Sequence, residues 1–157
     1  MNPTPEETYM YEAVKEAEKA ALAGDVPVGC VIVRKGEIIA RGHNEREARK
    51  NALLHAEITA IGKACLTLGS RRLEGCDMYV TLEPCPMCAG AILMARVSRL
   101  YYGASDTNMG ACGGVLNIFE EAFGYKPRIY KGVLQKECSG LLTDFFKKIR
   151  SREKDGV

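Results

Sequence analysis

Apolar residues recur every three to four positions near the start of the chain, which predicts an amphipathic helix. The segment Thr4-Pro5-Glu6-Glu7 has the composition of a capping box, with proline at the first helical position. Gly24 follows the periodic run and is a typical helix terminator. The first element is therefore predicted to be a helix that ends at Gly24. Its apolar positions are Met10, Ala13, Val14, Ala17, Ala20 and Ala21.

The rest of the chain alternates short apolar runs with further helical patterns. The first two runs flank Lys35-Gly36 and predict an antiparallel hairpin. Strands that alternate with crossover helices predict an α/β fold, a three-layer α/β/α sandwich with a mixed five-stranded sheet. The predicted strands are residues 28–34, 37–42, 78–82, 100–103 and 128–133. The predicted helices after the first are residues 53–68, 89–95 and 137–150, with a short helical piece at 115–119.

Composition and length are those of one globular domain. The chain has 157 residues, 46% of them hydrophobic and 27% charged, so it can bury a sizeable core, and we expect residues 1–157 to form a single domain. The net charge of +2 is too small to indicate a nucleic-acid partner by itself. No apolar run approaches the length of a membrane span, and no basic leader precedes one. We therefore expect no membrane partner and a cytoplasmic location.

Two short motifs, thirty residues apart, carry the chemistry. The first is His55-Ala56-Glu57, and the second is Pro84-Cys85-Pro86-Met87-Cys88. One imidazole and two thiolates are good zinc ligands, and three protein ligands leave a tetrahedral ion one position for water. The motifs predict that His55, Cys85 and Cys88 bind one Zn²⁺ per chain. Glu57 is predicted to be the general acid/base that hands protons to and from that water.

Each motif alone has an ordinary explanation. A lone H-x-E triplet occurs by chance, and C-x-x-C occurs in redox pairs and in structural zinc knuckles. A redox pair has no use for the upstream triplet, and a four-cysteine knuckle needs a second pair, whereas Cys112 and Cys138 stand alone. The joint pattern is the signature of zinc-dependent nucleobase deaminases, a class whose known examples include bacterial tRNA adenosine deaminase.

Together with Val26-Pro27-Val28-Gly29 and Tyr102-Gly103-Ala104, the two motifs resemble the bacterial tRNA-specific adenosine deaminase family. The resemblance covers nearly the whole chain. It implies a cytidine deaminase-like fold, a homodimer, and zinc-dependent hydrolytic deamination of the wobble adenosine to inosine in a tRNA anticodon loop. The cysteine motif is shared with cytosine and guanine deaminases, so the separation from them depends on Asn44, Asp106 and residues 141–146.

Five residues are predicted to contact the substrate. By resemblance, Asn44 hydrogen-bonds the target nucleotide, although sequence alone favours an asparagine that stabilises its own loop. Asp106 follows a strand end, where its carboxylate is placed to accept a hydrogen bond from a ribose 2′-hydroxyl. Phe145 and Phe146 point about 100° apart on a helix, so we expect one in the core and one available to anticodon bases. Arg150 is predicted to meet phosphates, as single-stranded RNA recognition requires.

Three functions remain open from the sequence. The first is a tRNA wobble adenosine deaminase, and the second is an enzyme of the same fold that acts on free guanine, cytosine or a related base. The third is a non-catalytic zinc-stabilised binding module, against which the presence of Glu57 counts. An anticodon loop already exposes its bases, so the cost of extruding one is smaller than in a duplex. Together with the family resemblance, this makes the tRNA deaminase the favoured hypothesis.

Overall fold

The computed structural model describes residues 2–156, so the predicted domain bounds at residues 1 and 157 lie outside the described residues. Its helices are α1 (Pro5–Leu22), α2 (Ala56–Leu68), α3 (Pro86–Ala95) and α4 (Gln135–Lys154). Its strands are β1 (Gly29–Arg34), β2 (Glu37–His43), β3 (Cys76–Leu82), β4 (Arg99–Ala104) and β5 (Arg128–Lys131). None of the helices within the described range has both the length and the apolar character that a membrane crossing needs.

The five strands form one mixed sheet in the order β2-β1-β3-β4-β5. Strand β1 is antiparallel to both of its neighbours, whereas β3, β4 and β5 run parallel. Lys35 and Gly36 join β1 to β2 with φ angles of 50° and 79°, and two left-handed residues suit the twist of a tight hairpin. The predicted mixed five-stranded sheet is confirmed.

Helices cover both faces of this sheet. Alternate side chains of a strand point to opposite faces, so Val31 and Val33 pack with α1 and α4, while Cys30 and Ile32 pack with α2 and α3. Each face therefore has its own apolar cluster. The predicted three-layer α/β/α sandwich is confirmed.

Close packing of α1 and α2 on the sheet depends on two glycines. A Cβ added at Gly29 would lie 1.9 Å from the Ala13 carbonyl oxygen of α1, and one at Gly42 would lie 2.6 Å from the Ala56 carbonyl oxygen of α2. Only a residue without a side chain permits such an approach. The contact at Gly42 holds the first turn of α2 directly against the end of β2.

One edge of the sheet gathers all the segments that carry the predicted chemistry. Gly29, at the start of β1, pairs with His43, at the end of β2, and Leu82 pairs with Ala104 at the ends of β3 and β4. The residues that follow these strand ends therefore meet at the same edge. They are Asn44 after β2, Glu83 to Cys85 after β3, and Ser105 and Asp106 after β4.

Helix α2 begins three residues later than predicted. The Asn51 side chain accepts a hydrogen bond from the Leu53 N–H, and the Leu54 N–H donates to the Asn51 carbonyl, so residues 51–54 form a turn. The prediction that His55 lies inside the first helical turn is therefore wrong. His55 is the N-cap, with extended backbone, and Glu57 alone lies in the first turn.

Other element bounds also shift. Helix α3 begins at Pro86 instead of residue 89, because proline suits the first helical position. Strand β5 ends at Lys131 instead of residue 133, since Gly132 turns the backbone with a φ of 80°. The terminal helix spans Gln135–Lys154, longer than the predicted 137–150. The short helical piece is a 3₁₀ turn at Ile118–Glu120.

Candidate active site

His55, Cys85 and Cys88 come together at this edge of the sheet. His55 is the N-cap of α2, Cys85 is the N-cap of α3, and Cys88 lies in the first turn of α3. The His55 Nδ1 atom lies 3.7 Å from Cys85 Sγ and 3.6 Å from Cys88 Sγ. The three possible ligand atoms all lie within 4.8 Å of one another. The starts of two helices thus bring three possible metal-ligand atoms together, and we call His55, Cys85 and Cys88 the donor group.

This donor group fits one Zn²⁺ ion. Tetrahedral zinc with Zn–S bonds of about 2.3 Å and a Zn–N bond of about 2.0 Å places nitrogen and sulfur about 3.5 Å apart, close to the 3.6 and 3.7 Å observed. Zinc binds cysteine as the thiolate, and hydrogen bonds from Cys88 and from His55 lower the pKa of the Cys85 thiol to about 4. Three ligands leave the fourth position open, which is typical of catalytic zinc.

Glu57 lies buried beside the donor group, in the first turn of α2. Burial raises the pKa of its carboxyl to about 7. A group with a pKa near neutrality both accepts and donates protons readily at the pH where it works. Its position and its protonation behaviour are those of a general acid/base.

A cavity of about 520 Å³ opens beside the donor group, within the size range of small-molecule sites. His55 and Cys85 form part of its lining, so a molecule in the cavity reaches the metal ligands directly. The lining from the β1 and β2 side is Val26, Val28, Asn44 and Arg46. The opposite side is Leu82, Glu83 and residues 105–109, and α4 contributes Leu142 and Phe146.

Asn44 connects this cavity to the start of α2. It is buried, and its Oδ1 atom accepts a hydrogen bond of 2.9 Å from the Ala56 N–H. That N–H belongs to the first residue of the helix, where backbone donors lack partners within the helix. Because Oδ1 is engaged, the side-chain NH₂ is the group that Asn44 offers to the cavity. A role in the loop and a role toward a ligand are therefore compatible.

Comparisons with known proteins decide the family. The family model for the cytidine and deoxycytidylate deaminase zinc-binding region matches residues 3–104. A tRNA-specific adenosine deaminase of Bacillus subtilis is 49% identical over 152 residues, which are 96% of this chain and 94% of that protein. The chain belongs to the tRNA-specific adenosine deaminase family. The predicted family, zinc-dependent deaminase chemistry and fold are confirmed.

Two solved structures extend the comparison. One, from studies of A-to-I editing by tRNA:A34 deaminases at the wobble position of transfer RNA, matches with a TM-score of 0.83 and 42% identity. It covers 86% of this deaminase and 99% of that chain. The other is a guanine deaminase of Bacillus subtilis, with a TM-score of 0.63 and 36% identity over 96% of this chain and 95% of that one.

In this deaminase, Asp106 lies in the cavity wall beyond β4. Its Oδ1 atom accepts hydrogen bonds from the backbone N–H groups of Asn108, at 2.9 Å, and Met109, at 3.1 Å. These bonds close a turn and fix the carboxylate. Within residues 2–156, Oδ2 accepts no hydrogen bond, so it is the oxygen that is free for a ligand.

The geometry separates the two phenylalanines of α4. Phe146 is 42% exposed and lines the cavity, whereas Phe145 is half-buried and meets Phe146 edge-on, with ring centroids 5.5 Å apart. Arg150 is exposed one turn further along the helix and lines a separate shallow depression with Lys147. Phe146 thus belongs to the same cavity as His55, and Arg150 lies outside it.

Among the charged residues that line the cavity, sequence reasoning missed two. Glu83 directly precedes the cysteine motif and was given no role, yet it is a buried acidic side chain that accepts three backbone hydrogen bonds. An acidic residue directly before a ligand loop was the available signal. Arg46 lines the cavity, whereas Arg49 pairs with Glu45, and no local pattern distinguishes these two arginines.

Proposed function

We propose that this protein deaminates the wobble adenosine of a tRNA anticodon loop to inosine, as one zinc-dependent domain that works in the cytoplasm as a homodimer. The observation that carries the proposal is one cavity that joins His55 and Cys85 to Asn44, Asp106 and Phe146. Zinc ligands alone suit any base deaminase. The additional polar and aromatic groups suit a nucleotide that is held within a strand.

His55, Cys85 and Cys88 are the residues that would hold the metal. When bound, a zinc ion supplies Lewis acidity, which makes water a nucleophile at neutral pH. Glu57 accepts a proton from the attacking water and delivers it to the adenine ring nitrogen. It then takes the proton of the new hydroxyl on the attacked carbon and passes it to the amino group, which leaves as ammonia while the carbonyl of inosine forms. Because Glu57 is buried, these transfers occur away from bulk solvent.

Asn44 and Asp106 would bind the nucleotide from opposite sides of the cavity. The Asn44 NH₂ donates to the target nucleotide while its oxygen holds the start of α2. The free Oδ2 of Asp106 accepts a hydrogen bond from a ribose 2′-hydroxyl, which is the group that distinguishes RNA from DNA. These two contacts would favour a ribonucleotide over a free base.

Phe146 and the basic end of α4 would extend the contact beyond one nucleotide. The exposed Phe146 ring stacks on a base next to the target, a contact that single-stranded nucleic acid binding commonly uses. Arg150 and Lys147 face solvent further along the helix, where they meet phosphates. Binding through phosphates weakens as salt rises.

The proposed dimer uses the exposed apolar surface beside α3. Met94 is 80% exposed and, with Leu93 and Phe123, lines a depression of about 400 Å³. Large apolar side chains that lie side by side on a surface favour a protein partner. Sedimentation of the protein at micromolar concentration tests this, since a strictly monomeric species with full activity on RNA would exclude the dimer.

The experiment that tests the function is a substrate comparison. The protein is incubated with an anticodon stem-loop that contains the wobble adenosine, and in parallel with free adenosine, adenine, cytosine and guanine, and inosine and ammonia are measured. We expect the stem-loop to be deaminated far better than the free compounds. The likeness to a guanine deaminase makes free guanine the sharpest competitor. If guanine is deaminated efficiently and the stem-loop is not, the proposal is wrong and the protein is a small-molecule deaminase.

A further inference from the structure

Glu83 is a buried acidic residue that the deamination chemistry does not use. Only 3% of its surface is exposed. Its Oε1 atom accepts a hydrogen bond of 3.0 Å from the Asp106 N–H, and its Oε2 atom accepts bonds of 2.9 Å from the N–H groups of Cys112 and Gly114. All three donors belong to residues 105–114, which we call the wall loop because its first part lines the cavity.

The three hydrogen bonds to Glu83 need an acceptor at each of its two side-chain oxygens. Both oxygens accept, and a carboxylate has acceptors only, whereas an amide of the same shape has donors on one side. Within the described residues, no lysine or arginine forms a salt bridge with Glu83. The backbone N–H groups of the wall loop therefore provide the main compensation for this buried charge.

The wall loop is also fitted closely around Glu83. A Cβ added at Gly114 would lie 1.9 Å from the Asp106 carbonyl oxygen and 3.0 Å from Glu83 Oε1. One added at Gly110 would lie 2.2 Å from Glu83 Oε2. The two glycines let the loop fold back over the carboxylate, so that any larger residue there would displace it.

Backbone hydrogen bonds at Glu83 and Pro84 join the zinc-ligand segment to the wall loop and to the strand end before it. The Pro84 carbonyl accepts from the Ala111 N–H of the wall loop at 2.9 Å, and the Glu83 N–H donates to the carbonyl of Ala104, the last residue of β4, at 2.8 Å. Cys85 follows Pro84 directly in the chain. Motion of the wall loop relative to the metal ligands is therefore restrained at several points along two consecutive residues.

We propose that Glu83 is a positioning residue that holds the wall loop in place, so that the Asp106 carboxylate is preorganised to bind the ribose of the substrate. This inference rests on the proposed function for the identity of the substrate. It assigns Glu83 a role in binding RNA, without contact with the reacting atoms. Loss of the anchor should weaken binding in the ground state and in the transition state equally, which raises KM and leaves kcat unchanged.

The direct test is Glu83→Gln. In the better of its two amide orientations, the oxygen accepts from Cys112 and Gly114 while the NH₂ faces the Asp106 N–H, donor against donor. We expect KM for the anticodon stem-loop to rise between about tenfold and about 10²-fold, the range that corresponds to the loss of one hydrogen bond to the ribose. Zinc content should stay at one per chain, and backbone amides of the wall loop should exchange hydrogen faster.

A second variant releases the loop without a change at Glu83. Gly114→Ala introduces the clash with the Asp106 carbonyl and should reproduce the rise in KM and the faster exchange. Gly62→Ala is the matched control, because a Cβ at that helical position meets no heavy atom within 4 Å. If Glu83→Gln fails to fold or loses zinc, Gly114→Ala decides the question.

The outcomes are distinct. An unchanged KM in Gly114→Ala would overturn the inference. A lower kcat with an unchanged KM in both variants would also overturn it, because that result indicates a smaller fraction of folded enzyme and not a weaker affinity for RNA. If the parent protein leaves the stem-loop untouched, the proposed function fails. Amide exchange then decides alone whether Glu83 anchors the wall loop.

Discussion

Asn44 has two functional groups with separate tasks, and a pair of substitutions distinguishes them. Its Oδ1 atom accepts from the Ala56 N–H at the start of α2, and its NH₂ is left for the substrate. Asn44→Ala removes both groups. Asn44→Asp keeps an acceptor for the helix start, removes the NH₂ donor and adds a negative charge, which the N-terminus of α2 favours.

The expected sizes follow from these contacts. Without an acceptor, the buried Ala56 N–H loses its partner, at a cost to the free energy of unfolding of about 0.5–2 kcal/mol. For a chain of this size, each kcal/mol lowers Tm by about 2–4 °C, so Asn44→Ala should melt about 1–8 °C below the parent. Asn44→Asp should melt within about 2 °C of the parent. Both variants leave a polar substrate atom unpaired, which costs about 1–3 kcal/mol, so kcat/KM should fall by about 5-fold to about 150-fold.

Thermal unfolding, zinc analysis and stem-loop kinetics on both variants test this reasoning. Zinc content must be measured because His55 directly precedes Ala56. An Asn44→Asp protein with the activity of the parent would show that the NH₂ does not bind substrate. An Asn44→Ala protein with the Tm of the parent would show that Oδ1 contributes nothing to the helix start.

Four further predictions concern the metal, the proton carrier, the RNA contact and the alkaline limit of stability. Cys88→Ala should contain well below one zinc per chain by metal analysis, and full occupancy with normal activity would exclude this ligand set. Glu57→Gln should fold and keep zinc but turn over about 10²-fold to 10⁴-fold more slowly, and a rate near that of the parent would exclude its role. Phe146→Ala should reduce the preference for stem-loop over free adenosine more than Phe145→Ala does, and equal effects would contradict the assignment of Phe146 to the cavity. Burial raises the pKa of Tyr102 from 10.0 to about 12, so the folded state binds a proton that the unfolded chain has lost, and stability falls as pH rises from 10 to 12. Between pH 10 and pH 12, the free energy of unfolding should fall by about 3 kcal/mol less in Tyr102→Phe than in the parent, as measured by denaturant titration. Equal decreases in both proteins would refute this prediction.

The sequence by itself determined the chemistry and the order of the elements. A zinc site needs particular atoms, so His55, Cys85 and Cys88 stand out wherever they lie in a fold. Hydrophobic periodicity is local, so it predicted the individual strands and helices. Their alternation along the chain then predicted the sandwich and the mixed sheet. The bounds of α2 and α4 were predicted less well. A turn closed by the Asn51 side chain delays the start of α2. Helix α4 continues into polar residues beyond 150, where the apolar pattern no longer marks a helix.

Only the tertiary structure decided what surrounds the zinc ligands. Glu83 and Asp106 are 23 residues apart, and Asn44 and Ala56 are 12 apart, so neither contact follows from local spacing. Both arise because strand ends from different parts of the chain meet at one edge of the sheet. Phe146 lines the cavity and Phe145 does not because of the way α4 packs against that edge, and this long-range packing leaves no pattern along the helix.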